Sequence, residues 1–154
     1  MRRTTLFATT VAALSCLATA CGTSDEEAYS QFVNLPQHEW LRTAPCYFKP
    51  GIEGDNLEIL LSVRHENDYE YSQIGLTVDV INADTVSLRQ AVTIPLVDNN
   101  GNWISDGFGS LYQCQVPVAS NVRLESASVI LVWQSMDCDT LWHISDMGID
   151  ITRK

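Results

Sequence analysis

Basic side chains are scarce in this chain: nine lysines and arginines face nineteen aspartates and glutamates across 154 residues, for a net charge of -10. Phosphate backbones repel so acidic a surface and anionic lipid heads offer it nothing, which excludes nucleic-acid binding. Solubility is the simplest use of the charge. Long apolar runs are also lacking, since past residue 21 the most apolar stretch, residues 127–133, falls far short of the roughly 20 residues that cross a hydrocarbon layer. His38, His65 and His143 stand singly and the cysteines lack ligand spacing, so no metal is expected. There is no nucleophile elbow and no glycine-rich loop opening a helix to cradle phosphate. The chain is not expected to be an enzyme.

What is present begins with an address. Arg2 and Arg3 form a positive n-region, residues 6–17 a short apolar core, and Leu17-Ala18-Thr19-Ala20 leads into Cys21, the pattern of a bacterial lipoprotein signal peptide over residues 1–20. An ordinary secretory peptide is the alternative, because Ala18 and Ala20 also make an Ala-x-Ala cleavage site. Cleavage before Cys21 removes both arginines and takes the net charge from -10 to -12. A diacylglycerol and an N-acyl chain on Cys21 would then hold the protein. Each buried methylene contributes about 0.8 kcal/mol, so two or more chains anchor stably where one does not. No other cofactor is expected. Residues 21–33 read as the lipidated N-terminus and a flexible acidic tether, since residues 22–31 carry too little apolar surface to fold alone. Asp25, Glu26 and Glu27 also resemble the acidic export signal of some Bacteroidota lipoproteins, and Gly22 stands where an aspartate commonly retains lipoproteins in the inner membrane. An outer-membrane anchor follows, on either the periplasmic or the surface face.

Residues 34–154 read as one all-β domain. Leu57, Ile59, Leu61 and Val63 alternate with Glu58, Leu60 and Ser62, and Ile74, Leu76, Val78 and Val80 repeat the pattern, the period of half-buried strands. Residues 86–97 are rich in β-branched side chains and run into Asp98-Asn99-Asn100-Gly101, where Asn-Gly favours a tight hairpin turn. Residues 122–134 and 141–151 supply two more extended runs. With no amphipathic helix of normal length, an antiparallel two-sheet β-sandwich, immunoglobulin-like or jelly-roll-like, is predicted. Pro95 and Pro117 belong on edges or bulges, since proline cannot donate a ladder hydrogen bond.

Residues 98–112 hold the densest group of special residues. Asp98, Asn100 and Asn102 faintly copy a calcium loop, but the glycine comes one place early and no glutamate closes it, so a hairpin is preferred. Gly107 and Gly109 mark a bulge or a close backbone approach. The aromatics are the contact candidates: Tyr69 and Tyr71, which share one face of any strand they occupy, and Trp103 and Tyr112 beside the turn, for which core packing is the alternative. Trp133 is expected in the core. After Cys16 leaves with the leader and Cys21 is lipidated, Cys46, Cys114 and Cys138 remain, so at most one disulfide can form, with Cys114 and Cys138 the candidate pair.

Three stretches together carry a family resemblance: Leu-Ser-Val-Arg-His-Glu-Asn-Asp-Tyr-Glu-Tyr over residues 61–71, Asp-Asn-Asn-Gly-Asn-Trp-Ile-Ser-Asp-Gly-Phe-Gly-Ser-Leu-Tyr over residues 98–112, and Gln134, Met136, Leu141, Ile144, Met147 and Gly148 in order. With the leader, they make the chain resemble the GldH-type gliding motility lipoproteins of the Bacteroidota along nearly its whole length. Two positions depart from the pattern: Asp137 stands where arginine is common, and His143 where glycine is usual. The resemblance implies a non-catalytic accessory or assembly component of the gliding and type IX secretion apparatus, whose partners are envelope proteins of that machinery. A surface-exposed glycan-binding module is the alternative drawn from the aromatics and the export-like segment.

Overall fold

A computed structural model describes residues 26–153. The leader, Cys21 and the rest of the tether up to residue 25 lie outside the described residues.

Two antiparallel sheets form a sandwich. The first orders five strands as β1 (Glu26–Asn34), β11 (Ile144–Arg153), β4 (Gly54–Glu66), β8 (Leu111–Leu124) and β7 (Asp106–Phe108). The second orders four as β3 (Cys46–Phe48), β9 (Val129–Gln134), β5 (Gln73–Asn82) and β6 (Thr85–Pro95). A separate ribbon pairs β2 (Glu39–Leu41) with β10 (Thr140–Trp142). Among the described residues the only helical element is a single 3-10 turn, Pro36–His38. The alternation read from the sequence sets the inner faces: Leu57, Ile59, Leu61 and Val63 of β4 meet Ile74, Leu76, Val78 and Val80 of β5, all fully buried. Each such side chain contributes roughly 1.5–3 kcal/mol on leaving water.

Several boundaries differ from expectation, each for a physical reason. Residues 26–33 are not tether but most of strand β1, which pairs with β11 from Glu26↔Arg153 to Asn34↔Asp146. Their apolar partners come from the far end of the chain, beyond any local reading. Residues 122–134 are two strands, split where the Ser128 hydroxyl accepts the Glu125 N–H at 2.7 Å and donates to Asn82. Residues 141–151 likewise split at His143, whose φ of 65° lies in the left-handed region. The tight two-residue hairpin joins β5 to β6 through Ala83 and Asp84, both at positive φ. The Asn100-Gly101 turn lies outside the named strands: it carries one isolated bridge, Val97↔Trp103, and the Asp98 N–H donates to the Asn102 carbonyl at 2.8 Å. Trp133 points outward on β9 and is only half-buried, because Ile130, Val132 and Gln134 take the inward positions. Pro95 ends the edge strand β6, and Pro117 lies where the β4–β8 register shifts, as proline requires.

Candidate functional site

Strand direction divides the sandwich into two ends. The chain enters at Glu26, beside Arg153, Gly54, Leu124 and the Ala83–Asp84 turn. Every strand that starts there finishes at the opposite end, where residues 35–45, 66–72, 96–110 and 135–143 gather. Nine residues of β1 at about 3.3 Å each separate the two ends by roughly 30 Å.

At that far end the inward alternation of β4 finishes on His65, which is fully buried. Four aromatic rings surround or extend from it. The His65 ring centroid lies 4.6 Å from Trp103, 5.6 Å from Tyr69 and 5.6 Å from Tyr112, the last nearly parallel at 18°. Trp103 contacts Tyr112 at 5.8 Å, and Tyr71 contacts Tyr69 at 5.6 Å. The four aromatic candidates therefore form one cluster, built on a histidine that the sequence shows only as a lone residue. Tyr112 sits opposite His65 in the ladder and its ring covers Gly107, where a Cβ would meet Tyr112 Cε1 at 2.9 Å. The close approach at Gly107 is thus by a side chain, while Gly109 serves the turn with φ 65°.

His65 Nδ1 lies 2.9 Å from the Glu66 carbonyl oxygen, which can only accept, so Nδ1 carries the proton. Nε2 is then a bare acceptor, buried without a partner. Burial pushes the imidazole pKa down, more than the Glu66 carbonyl holds it up. The Trp103 indole donates to Asn67 Oδ1 at 3.1 Å, and the Tyr69 hydroxyl to the Gln73 carbonyl at 3.1 Å.

Glu66, on the other face of β4, gathers the remaining histidines. His143 Nδ1 meets Oε2 at 2.8 Å and His38 Nδ1 meets Oε1 at 2.8 Å. Hydrogen bonds from His143, then His38, hold the Glu66 carboxyl below its usual range. Both histidines adopt left-handed φ, 65° and 58°; at His143, where the resemblance leads one to expect glycine, this is a conformation glycine adopts freely. The other departure, Asp137, pairs with Arg42 at 3.5 Å. Among the described residues no group of three or more histidine, cysteine or acidic side chains is arranged to hold a metal ion. Asp98 spends its carboxylate on its own loop, accepting the Asn102 N–H at 2.9 Å and the Asn100 N–H at 2.8 Å.

Of the contact candidates, Tyr71 is 40% exposed, Trp103 and Tyr112 are half-buried, and Tyr69, at 4%, is a wall of the cluster rather than surface. The ribbon contributes exposed residues beyond these four. Leu41 and Trp142 stand diagonally on its outward face while Trp40 and Leu141 are buried beneath. Cys46, Cys114 and Cys138 are free thiols, so the Cys114–Cys138 pair is not made. Their surroundings differ: Cys114 lies against the Pro95 carbonyl and Cys138 against Tyr71.

The family model for the GldH lipoprotein matches residues 27–151. The chain belongs to the GldH lipoprotein family. A gliding motility lipoprotein GldH homolog from Christiangramia forsetii is 22% identical over 143 residues, covering 83% of this chain and 85% of its own. Neither description names a catalytic activity. Among solved structures, VP2 of infectious bursal disease virus, as a subviral particle, aligns with TM-score 0.32 and 12% identity. That of the Gx strain aligns with TM-score 0.29 and 12% identity. Each match covers 93% of this chain, which spans 38% of the viral one. The three stretches that carry the GldH resemblance, far apart in sequence, all reach the far end of the sandwich. Among the described residues no helix is long and apolar enough to cross a membrane.

Proposed function

We propose that this GldH-family chain is a non-enzymatic outer-membrane lipoprotein, held by a diacylglycerol and an N-acyl chain on Cys21. It serves as an accessory or assembly component of the gliding motility and type IX secretion apparatus and works through protein–protein contacts. The observation that carries the reading is the family match across the whole sandwich, joined to a relative named for gliding motility. The geometry supports contact rather than chemistry, since the histidines and the central carboxylate bind one another and the rings pack against His65. A glycan-binding module built on Trp103 and Tyr112 would need their ring faces open to stack on sugar, whereas these two turn onto His65 and each other. The test is deletion of the gene. Surface delivery of type IX cargo, and gliding where the cells glide, should fall; normal delivery and motility would overturn the reading.

A further inference from the structure

We infer that the end of the sandwich farthest from Glu26 is a docking face for a protein partner that presents lysine and arginine side chains. The inference rests on the protein-contact reading above and names the surface and the partner class.

Exposed apolar surface gathers at this end. Leu41 at 49%, Ile104 at 48%, Trp142 at 52% and Tyr71 at 40% all belong to its loops and ribbon. The large hydrophobics exposed elsewhere among the described residues are Tyr47 and Val86. The same loops and ribbon turn carry carboxylates: Asp68, Glu70, Asp98, Asp137 and Asp139 are all exposed. Arg42 is the only lysine or arginine in these loops, and its guanidinium is already engaged, donating to the Met136 and Cys138 carbonyls and facing Asp137. The face therefore combines exposed apolar side chains with negative charge. Guanidinium and ammonium groups satisfy both features, through carboxylate pairing and through the faces of Tyr71 and Trp142.

The same charge argues against the other occupants. A second copy would bring the same carboxylates against these, at a cost of several kcal/mol for like charges in contact. Anionic lipid heads are repelled in the same way, and the face lies roughly 30 Å along β1 from the end that leads to Cys21. A protein with a basic surface is the occupant that fits.

The experiment places a photo-crosslinking amino acid at Tyr71 or Trp142, and at Val86 as a control, in the full lipidated chain in intact cells. The expected result is one protein adduct shared by Tyr71 and Trp142, absent from Val86, with the crosslinked segment rich in lysine and arginine. Adding Asp68→Lys, Glu70→Lys and Asp137→Lys should lower its yield about ten-fold at equal protein level and equal thermal stability. The milder Asp137→Asn with Asp139→Asn should lower it less. No adduct at Tyr71 and Trp142, an adduct to a second copy, to glycan or to lipid, or an adduct indifferent to these changes would overturn the inference. A cargo defect on gene deletion without these adducts removes the docking face and leaves the secretion role. Adducts in cells whose deletion strain delivers cargo normally do the reverse.

Discussion

The imidazole of His65 and the indole of Trp103 lie 4.6 Å apart at 59°, joining the last inward residue of a long core strand to a loop some forty positions on. The contact makes the far end of the sandwich an extension of the core. It also leaves His65 Nε2 buried without a partner, in an enclosure that disfavours the charged imidazole.

The pH dependence of stability follows. Burial holds the folded pKa of His65 below its usual 6.5, so in that window the unfolded chain binds the extra proton. Stability from this residue is present above pH 6.5 and is lost as pH falls toward the folded value. Denaturant midpoints at pH 7.5 and 5.5 should separate for the wild type and draw together for His65→Phe. Equal separation in both proteins would contradict this.

Glu66 works in a lower window. Its folded pKa lies below the usual 4.5 because His143 and His38 donate to it, so its contribution is present above 4.5 and is lost as pH falls through the folded value. Glu66→Ala should speed amide exchange in Glu39–Leu41 and Thr140–Trp142 several-fold while leaving β4 and β11 protected. Unchanged exchange in the ribbon would mean that the histidine bridge does not hold it.

Gly148 and Phe32 are directly opposite on β11 and β1. A Cβ at Gly148 would lie 2.5 Å from Phe32 Cε1, so Gly148→Ala should cost about 1–3 kcal/mol through overpacking. In the Phe32→Ala background the same change should cost much less, and a double-mutant cycle reads the difference. Additive effects would refute the contact.

The thiols should differ in reactivity. Cys46 is buried and its pKa is pushed up to about 12 by desolvation, so it should resist alkylation in the folded protein until denaturant is added. Cys114 and Cys138 should label as free thiols without reductant. A reductant requirement would point to a disulfide.

Much of the fold was legible because β alternation is local: Leu57 to Val63 and Ile74 to Val80 show their inward faces within a few residues. What was not legible depended on distance or on unusual backbone. Strand β1 is polar in sequence and earns its place through Phe32 packed on Gly148, across the whole chain. The Ala83–Asp84 turn uses two non-glycine residues at positive φ, which composition does not announce. The aromatic candidates were readable as residue types, but their assembly was not. Glu66 is separated by 28 positions from His38 and by 77 from His143, and only the antiparallel topology brings them together. The one local clue was that β4 alternation ends on His65, which makes that histidine inward.

The proposed role in the gliding and secretion apparatus requires a domain held at the membrane through Cys21. Its most direct test is surface delivery of type IX cargo in a deletion strain complemented with the wild type or with Cys21→Ala, alongside membrane fractionation of each. The wild type should pellet with membranes and restore delivery, while Cys21→Ala should accumulate as folded soluble protein and fail to restore it. A Cys21→Ala protein that remained with membranes, or that restored delivery from the soluble fraction, would contradict it.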